Sequence, residues 1–104
     1  MRTISATELS LYLNENKPML LDVREPTEYE TCRIDNSTLI PMGEIASRIQ
    51  ELGEDDEIIC ICHHGMRSLQ VAMYLESQGF SNMVNLNGGI EAWASDVDKD
   101  MPHY

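Results

Sequence analysis

The sequence predicts an α/β domain organised around a mainly parallel sheet. Short apolar runs alternate with helix-period stripes along the whole length, a pattern of strand–helix units. The run "EIICIC" (Glu57 to Cys62) is apolar at consecutive positions, so a strand there is buried on both faces, as in parallel sheets. The chain has 104 residues, enough for one modest core and too few for two. A single domain over 1–104 is expected, with its core at about 4–94 and a C-terminal tail over 96–104.

The elements follow in order. In "ISATEL" Ser5 caps a helix whose third residue, Glu8, reaches back, with Ile4 and Leu9 at staple positions. "PMLLDV" reads as a buried strand that ends in an acid and leads to Arg24. Pro26 suits the first turn of a helix running through Tyr29. "STLIP" is a brief strand closed by Pro41, and Ile45, Ile49 and Leu52 form a helical stripe that stops at Gly53. After "EIICIC", residues 68–78 have a wide apolar helical face that ends at Gly79. "NMVNL" is one more strand and "GGIEAWA" one more short helix, with Trp93 in the core. In open parallel sheets ligands bind beyond the carboxyl ends of the strands. Asp22 and Arg24, Cys62, and Gly88 with Gly89 follow three of these strands and should meet on one edge.

Charge and composition exclude several classes of function. Seven basic residues against eighteen acidic give a formal net charge of −11, which opposes binding to nucleic acid or anionic membrane. The acidic runs "ELGEDDE" and "SDVDKD" read as solvated segments. The longest apolar run, Ile58 to Cys62, is far too short to span a bilayer. No basic flank followed by an apolar stretch comes after Met1, so the cytoplasm is the expected compartment. Three cysteines, Cys32, Cys60 and Cys62, read as reduced thiols. A monomer is expected.

The segment "CHHGMRS" carries the chemistry. Cys62 lies where a strand becomes a loop, and the loop feeds directly into a helix. Successive backbone N–H groups there can point into the loop centre, with the helix N-terminus adding positive potential. Gly65 permits the turn. Cys62 is therefore expected to act as a thiolate nucleophile, in preference to being merely the last apolar residue of its strand. His63, His64 and Arg67 add donors, and Arg67 adds permanent charge. The same cradle suits a small oxyanion or the outer sulfur of a persulfide.

Three stretches in order, "LLDVREPTEY" (Leu20 to Tyr29), "CHHGMRS" (Cys62 to Ser68) and "LNGGIEAW" (Leu86 to Trp93), resemble the rhodanese family of sulfurtransferases. The likeness runs from about Ile4 to Ala94. It implies a three-layer sandwich with a five-stranded parallel sheet. It also implies a cysteine that takes sulfane sulfur from a donor such as thiosulfate and passes it on from a persulfide. On this resemblance Cys62 is the sulfur carrier, and His63, His64, Gly65, Met66 and Arg67 form its binding loop. Arg24 matches an arginine that can face the donor anion, and Asp22 and Ser68 support the loop. Gly88 and Gly89 match a glycine pair whose work is tight packing. The partners implied are a small sulfur-donor anion and a thiol or protein acceptor, and no cofactor is implied.

The chain departs from the family after Tyr29, with Cys32-Arg33-Ile34 and then Asn36-Ser37 where many relatives carry Gly-His-Ile and Gly-Ala. Cys32 is read as an exposed bystander ahead of a resolving thiol. Arg33 either replaces a histidine that bonds the nearby turn or is solvated. Cys60 and Cys62 share a strand face, too close for an unstrained disulfide, and Cys60 is read as core. Zinc is not expected: Cys62, His63 and His64 are adjacent, their side chains diverge, and no second ligand pair exists. Two other classes remain. A phosphatase or arsenate reductase would also use a cysteine loop opening a helix, but commonly with five residues between cysteine and arginine, and here there are four. A non-catalytic recognition module could borrow the fold.

Overall fold

The computed structural model describes all 104 residues. Its sheet is wholly parallel, with strands β1 (Arg2–Ile4), β2 (Met19–Asp22), β3 (Thr38–Leu39), β4 (Ile58–Ile61) and β5 (Met83–Leu86) in the order β1-β5-β4-β2-β3. The helices are α1 (Ala6–Tyr12), α2 (Pro26–Thr31), α3 (Met66–Ser77) and α4 (Gly89–Asp96). None is long and apolar enough to cross a membrane.

The central strand explains the layering. All four residues of β4 are buried, and its alternation sends them to two different cores. Ile59 and Ile61 join Leu20, Val84 and Leu86 against Leu9 of α1 and Ile90 and Trp93 of α4. Ile58 and Cys60, with Cys62 just beyond, join Leu21 and Met83 against Val71, Ala72 and Leu75 of α3. The result is the three-layer sandwich that the family resemblance implies. Leu21 pairs with Cys60 and Asp22 with Ile61, while Cys60 pairs with Asn85 across β5. This register brings the loops holding Arg24, Cys62 and Gly88 to one edge.

Local sequence sets most element boundaries. Ser5 and Glu8 form the expected capping box, with the Glu8 N–H donating to Ser5 Oγ at 3.1 Å and the Ser5 N–H to Glu8 Oε1 at 2.9 Å. Ahead of Pro26 at the start of α2, the Glu25 N–H donates to Glu28 Oε1 at 3.0 Å. Gly79, at φ +99°, ends α3 as read.

Two expectations are corrected and one strand is added. The stripe Ile45, Ile49, Leu52 does not build an α-helix; residues Met42–Glu44 and Ala46–Glu51 are 3-10 turns kinked at Arg48. There Ser47 Oγ bonds the carbonyl of Glu44 and Arg48 is clamped between Glu44 and Glu51, so side chains compete with regular helical bonding. A first strand, β1, adds an edge that three residues with one apolar side chain do not announce. The segment 96–104 is not a free tail. Asp96 closes α4, Met101 is buried against the Trp93 core, and the chain returns to the edge that carries Cys62.

Asp22 and Arg24 have no exposed side-chain surface and form an ion pair at 2.8 Å. Removing one member of a buried pair leaves an unmatched charge, so Asp22→Ala is expected to lower stability by about 3–5 kcal/mol. Urea denaturation at pH 7 measures this, and Arg24→Ala should act in the same way.

Candidate active site

The site is assembled from the end of β4, the start of α3 and the start of α4. Cys62 is buried, and its Sγ accepts the Gly65 N–H at 3.0 Å and lies 3.3 Å from Ser68 Oγ. Gly65 makes this possible: at φ +104° it turns the chain so that its own N–H faces back to the sulfur and α3 begins at the next residue. Met66, Arg67 and Ser68 open the helix with N–H groups that no carbonyl of the chain accepts. The loop is fixed from behind by Asn85. Its Nδ2 donates to the Gly65 carbonyl at 3.1 Å, and its Oδ1 accepts from Ser68 Oγ at 2.5 Å. Ser68 has one hydroxyl proton and faces two acceptors, Asn85 Oδ1 and Cys62 Sγ. Its hydroxyl therefore couples the sulfur to the loop's support.

The glycine pair packs against the same loop. A Cβ on Gly89 would stand 2.3 Å from the Cys62 carbonyl oxygen and 2.5 Å from that of His63. Those carbonyls accept the N–H groups of Ile90 at 2.9 Å and Glu91 at 3.0 Å. The first turn of α4 is thus bonded directly to the cysteine loop, at a distance only glycine permits.

The cations are arranged differently from the expectation. Arg24 does not offer its guanidinium to an anion. Nε and Nη2 bond Asp22, Nη2 also bonds the Cys32 carbonyl at 2.7 Å, and Nη1 bonds the Glu28 carbonyl at 3.3 Å and the Tyr104 hydroxyl at 2.8 Å. All five N–H groups are matched. Burial opposes its charge, but the hydrogen bonds it donates to Asp22 and Tyr104 outweigh burial and raise its pKa. Arg67 is half-exposed and makes a bidentate pair with Glu28 at 2.7 and 2.9 Å. That pairing holds the Glu28 carboxyl down to about 2, against an ordinary value of 4.5.

The family model of the rhodanese-like domain matches residues 5–96. The chain belongs to the rhodanese-like family. A sulfurtransferase of Allochromatium vinosum is 37% identical over 92 residues, covering 88% of this chain and 86% of that protein. The thiosulfate sulfurtransferase GlpE of Pseudomonas syringae is 37% identical over 81 residues, covering 78% and 76%. The crystal structure of a rhodanese-like domain protein from Staphylococcus aureus superposes with a TM-score of 0.84 at 36% identity, covering 89% of this chain and 91% of that one. Other curated relatives are longer, and the chain spans 43% of one and 27% of another.

Within this rhodanese-like frame the structure gathers Cys62, Gly65, Ser68, Gly88 and Gly89, and it moves other candidates away from the loop centre. Asp22 acts on Arg24 and, through it, on the edge. His64 and Met66 are exposed on the outer rim. The His63 ring stacks between His64, at 4.0 Å, and Tyr104, at 3.9 Å. Burial, and then the neighbouring His64, lowers the His63 pKa, which favours the neutral ring. Cys32 is buried rather than exposed, and it packs in the core on the α4 side of the sheet. Cys62 packs on the α3 side, so Cys32 cannot serve it as a resolving thiol. Arg33 is exposed with its guanidinium over the Tyr29 ring at 4.7 Å. Three residues were not foreseen. Asn85 is a lone amide in an apolar strand, a signal present in "NMVNL". Glu28 is visible in sequence only as a helix cap. Nothing in "KDMPHY" marks Tyr104.

Glu28 allows a pH test. A carboxyl held below its ordinary value contributes stability above that value and loses it as pH falls toward the folded-state value. Glu28→Gln is therefore expected to be less stable than the native chain by about 1–2 kcal/mol at pH 7, allowing for solvent screening at half-exposed Arg67. The gap should close as pH falls from 4.5 toward about 2. Urea titrations along that pH series check both sign and window.

Proposed function

We propose that the chain is a sulfurtransferase that carries sulfane sulfur as a persulfide on Cys62. The observation that supports this most is the Gly65 N–H on Sγ at 3.0 Å, at a helix start whose next three N–H groups have no carbonyl partner. The Cys62 thiolate attacks the outer sulfur of a donor such as thiosulfate. The new S–S bond forms as the donor's S–S bond breaks, and sulfite leaves with the electron pair. The outer persulfide sulfur then lies about 2 Å beyond Sγ, where main-chain N–H groups stabilise its partial negative charge. An acceptor thiolate, or cyanide in an assay, attacks that outer sulfur, and Cys62 departs as the thiolate. The names of the sulfurtransferase relatives support the same reading.

A phosphatase reading is disfavoured by Arg67. In-line phosphoryl transfer needs positive groups on the equatorial oxygens, and Arg67 is engaged by Glu28 on both terminal nitrogens. The loop is also one residue shorter than that chemistry commonly uses. The purified protein should gain 32 Da, one sulfur atom, on incubation with thiosulfate, and should leave aryl phosphates intact. Cys62→Ser should remove both the mass gain and turnover while keeping the fold. Cys60→Ser and Cys32→Ser should keep most activity. Turnover of thiosulfate by Cys62→Ser at a comparable rate would overturn the mechanism.

Charge gives a second test. Both site arginines are matched by carboxylates, and the chain carries −11 overall. An anionic donor therefore approaches against a repulsive field with no free cation to offset it. With thiosulfate, kcat/KM should rise on adding moderate salt, since screening shortens the reach of the repulsion. Steady-state rates at constant pH and increasing ionic strength measure the effect, and a fall would place an unpaired cation in the donor's path.

A further inference from the structure

The segment that returns to the cysteine edge ends on the site itself. Met101 roots it in the core, and His103 Nδ1 lies 3.2 Å from Glu91 Oε1 on the first turn of α4. Tyr104 then lays its ring on His63 with centroids 3.9 Å apart and planes 13° from parallel. Its hydroxyl accepts from Arg24 Nη1 at 2.8 Å and donates to Glu28 Oε2 at 2.9 Å. Glu28 in turn holds Arg67. One side chain thus ties together the cysteine loop, the buried arginine and the acid that neutralises the other arginine. Cys62, the chain neighbour of the His63 that this ring covers, has 1% of its surface exposed.

We propose that Tyr104 controls access to Cys62 and sets which acceptor reaches it, namely one that replaces the phenol with a flat, hydroxyl-bearing group such as a tyrosine of a partner protein. The chemistry of the position selects that group. The place of the hydroxyl must both accept from a guanidinium and donate to a carboxylate. A small anion there meets Glu28 and an ammonium meets Arg24, whereas a neutral hydroxyl satisfies both. Burial pushes the Tyr104 hydroxyl up to about 12, so it remains a neutral donor across the physiological range. The ring position asks for a planar surface to stack on the neutral imidazole of His63. Access rests on geometry alone, whereas the acceptor's identity rests on the sulfurtransferase reading.

The test is the rate at which neutral iodoacetamide alkylates Cys62 in the full chain, read on the Cys62 peptide by mass spectrometry. Tyr104 is 41% exposed, so Tyr104→Ala should fold, and thermal unfolding checks this. Alkylation is expected to be faster in Tyr104→Ala by about tenfold, the equivalent of about one hydrogen bond to a charged group. Tyr104→Phe keeps the stack, loses the bridge between Arg24 and Glu28, and should fall between the two. Adding p-cresol at millimolar concentration should slow Tyr104→Ala back toward the native rate, and toluene should do so much less. Equal rates in the native chain and both variants overturn the control of access, and cresol no better than toluene overturns the choice of group. If alkylation behaves as expected while no sulfur transfer is found in any variant, the sulfurtransferase reading fails and the control of access stands.

Discussion

A guanidinium with no exposed surface must have every N–H matched inside the protein, and Arg24 imposes that condition on four segments. The Asp22 carboxylate comes from the end of β2, one carbonyl from α2, one from Cys32 after that helix, and one hydroxyl from Tyr104. Each of these segments is placed by the need to reach the same group. The pairing of Asp22 with Ile61, and the Val23 N–H on the Ile61 carbonyl at 2.9 Å, then fix this hub beside the point where the chain leaves β4 for Cys62. A buried ion pair adds little net stability, but breaking it is costly. Its effect here is to make one arrangement of the edge far better than its alternatives.

The site that results is electrically balanced where its sequence suggests a positive cluster. Arg24 and Arg67 are each joined to a carboxylate, which leaves main-chain N–H groups as the directed positive potential around the sulfur. Such donors are short-ranged and fixed in direction. They suit a single polarisable atom held close to them better than a large anion held at a distance. In the proposed reaction a cradle of this kind would stabilise charge arriving on the transferred sulfur, while the donor's own charge would leave with its departing fragment.

What the sequence disclosed depends on whether the cause was local. Strands β2, β4 and β5 and helices α3 and α4 were legible because apolar runs, prolines and glycines act within a few residues of where they stand. Cys62, Gly65, Gly88 and Gly89 were legible for the same reason, since a strand-to-helix turn and a close backbone approach each demand particular residue types. At the two arginines of the site the structure departs from the sequence reading, and the causes lie far along the chain. The partner of Arg67 is 39 residues away, and the hydroxyl on Arg24 is 80 residues away. The resemblance implies that Arg24 faces an anion, and nothing near it in sequence shows its neutralisation. Cys32 reads as exposed in sequence, whereas Arg24 bonds its carbonyl and its side chain packs in the core. The short strand β1 lacks periodicity, and the return of residues 101–104 depends on a single buried methionine.

Cys60 and Cys62 show how closely a thiol's surroundings depend on position along one strand. They lie on the same face, two residues apart, and join the same core. Cys60 sits inside the ladder, where burial and then the neighbouring Cys62 push its thiol up to about 12, and where both flanking strands leave it no directed donor. Such a thiol is a small hydrophobic side chain. Cys62 stands past the last residue of the strand, where Gly65 turns the backbone so that an N–H points back at the sulfur. Moving the cysteine outward by one side-chain repeat exchanges hydrocarbon neighbours for a hydrogen-bond donor and a helix start. The position that meets a directed donor therefore follows from where the ladder stops, and the ladder stops where Asp22, Gly65 and Gly89 lie at the turns of the three neighbouring segments.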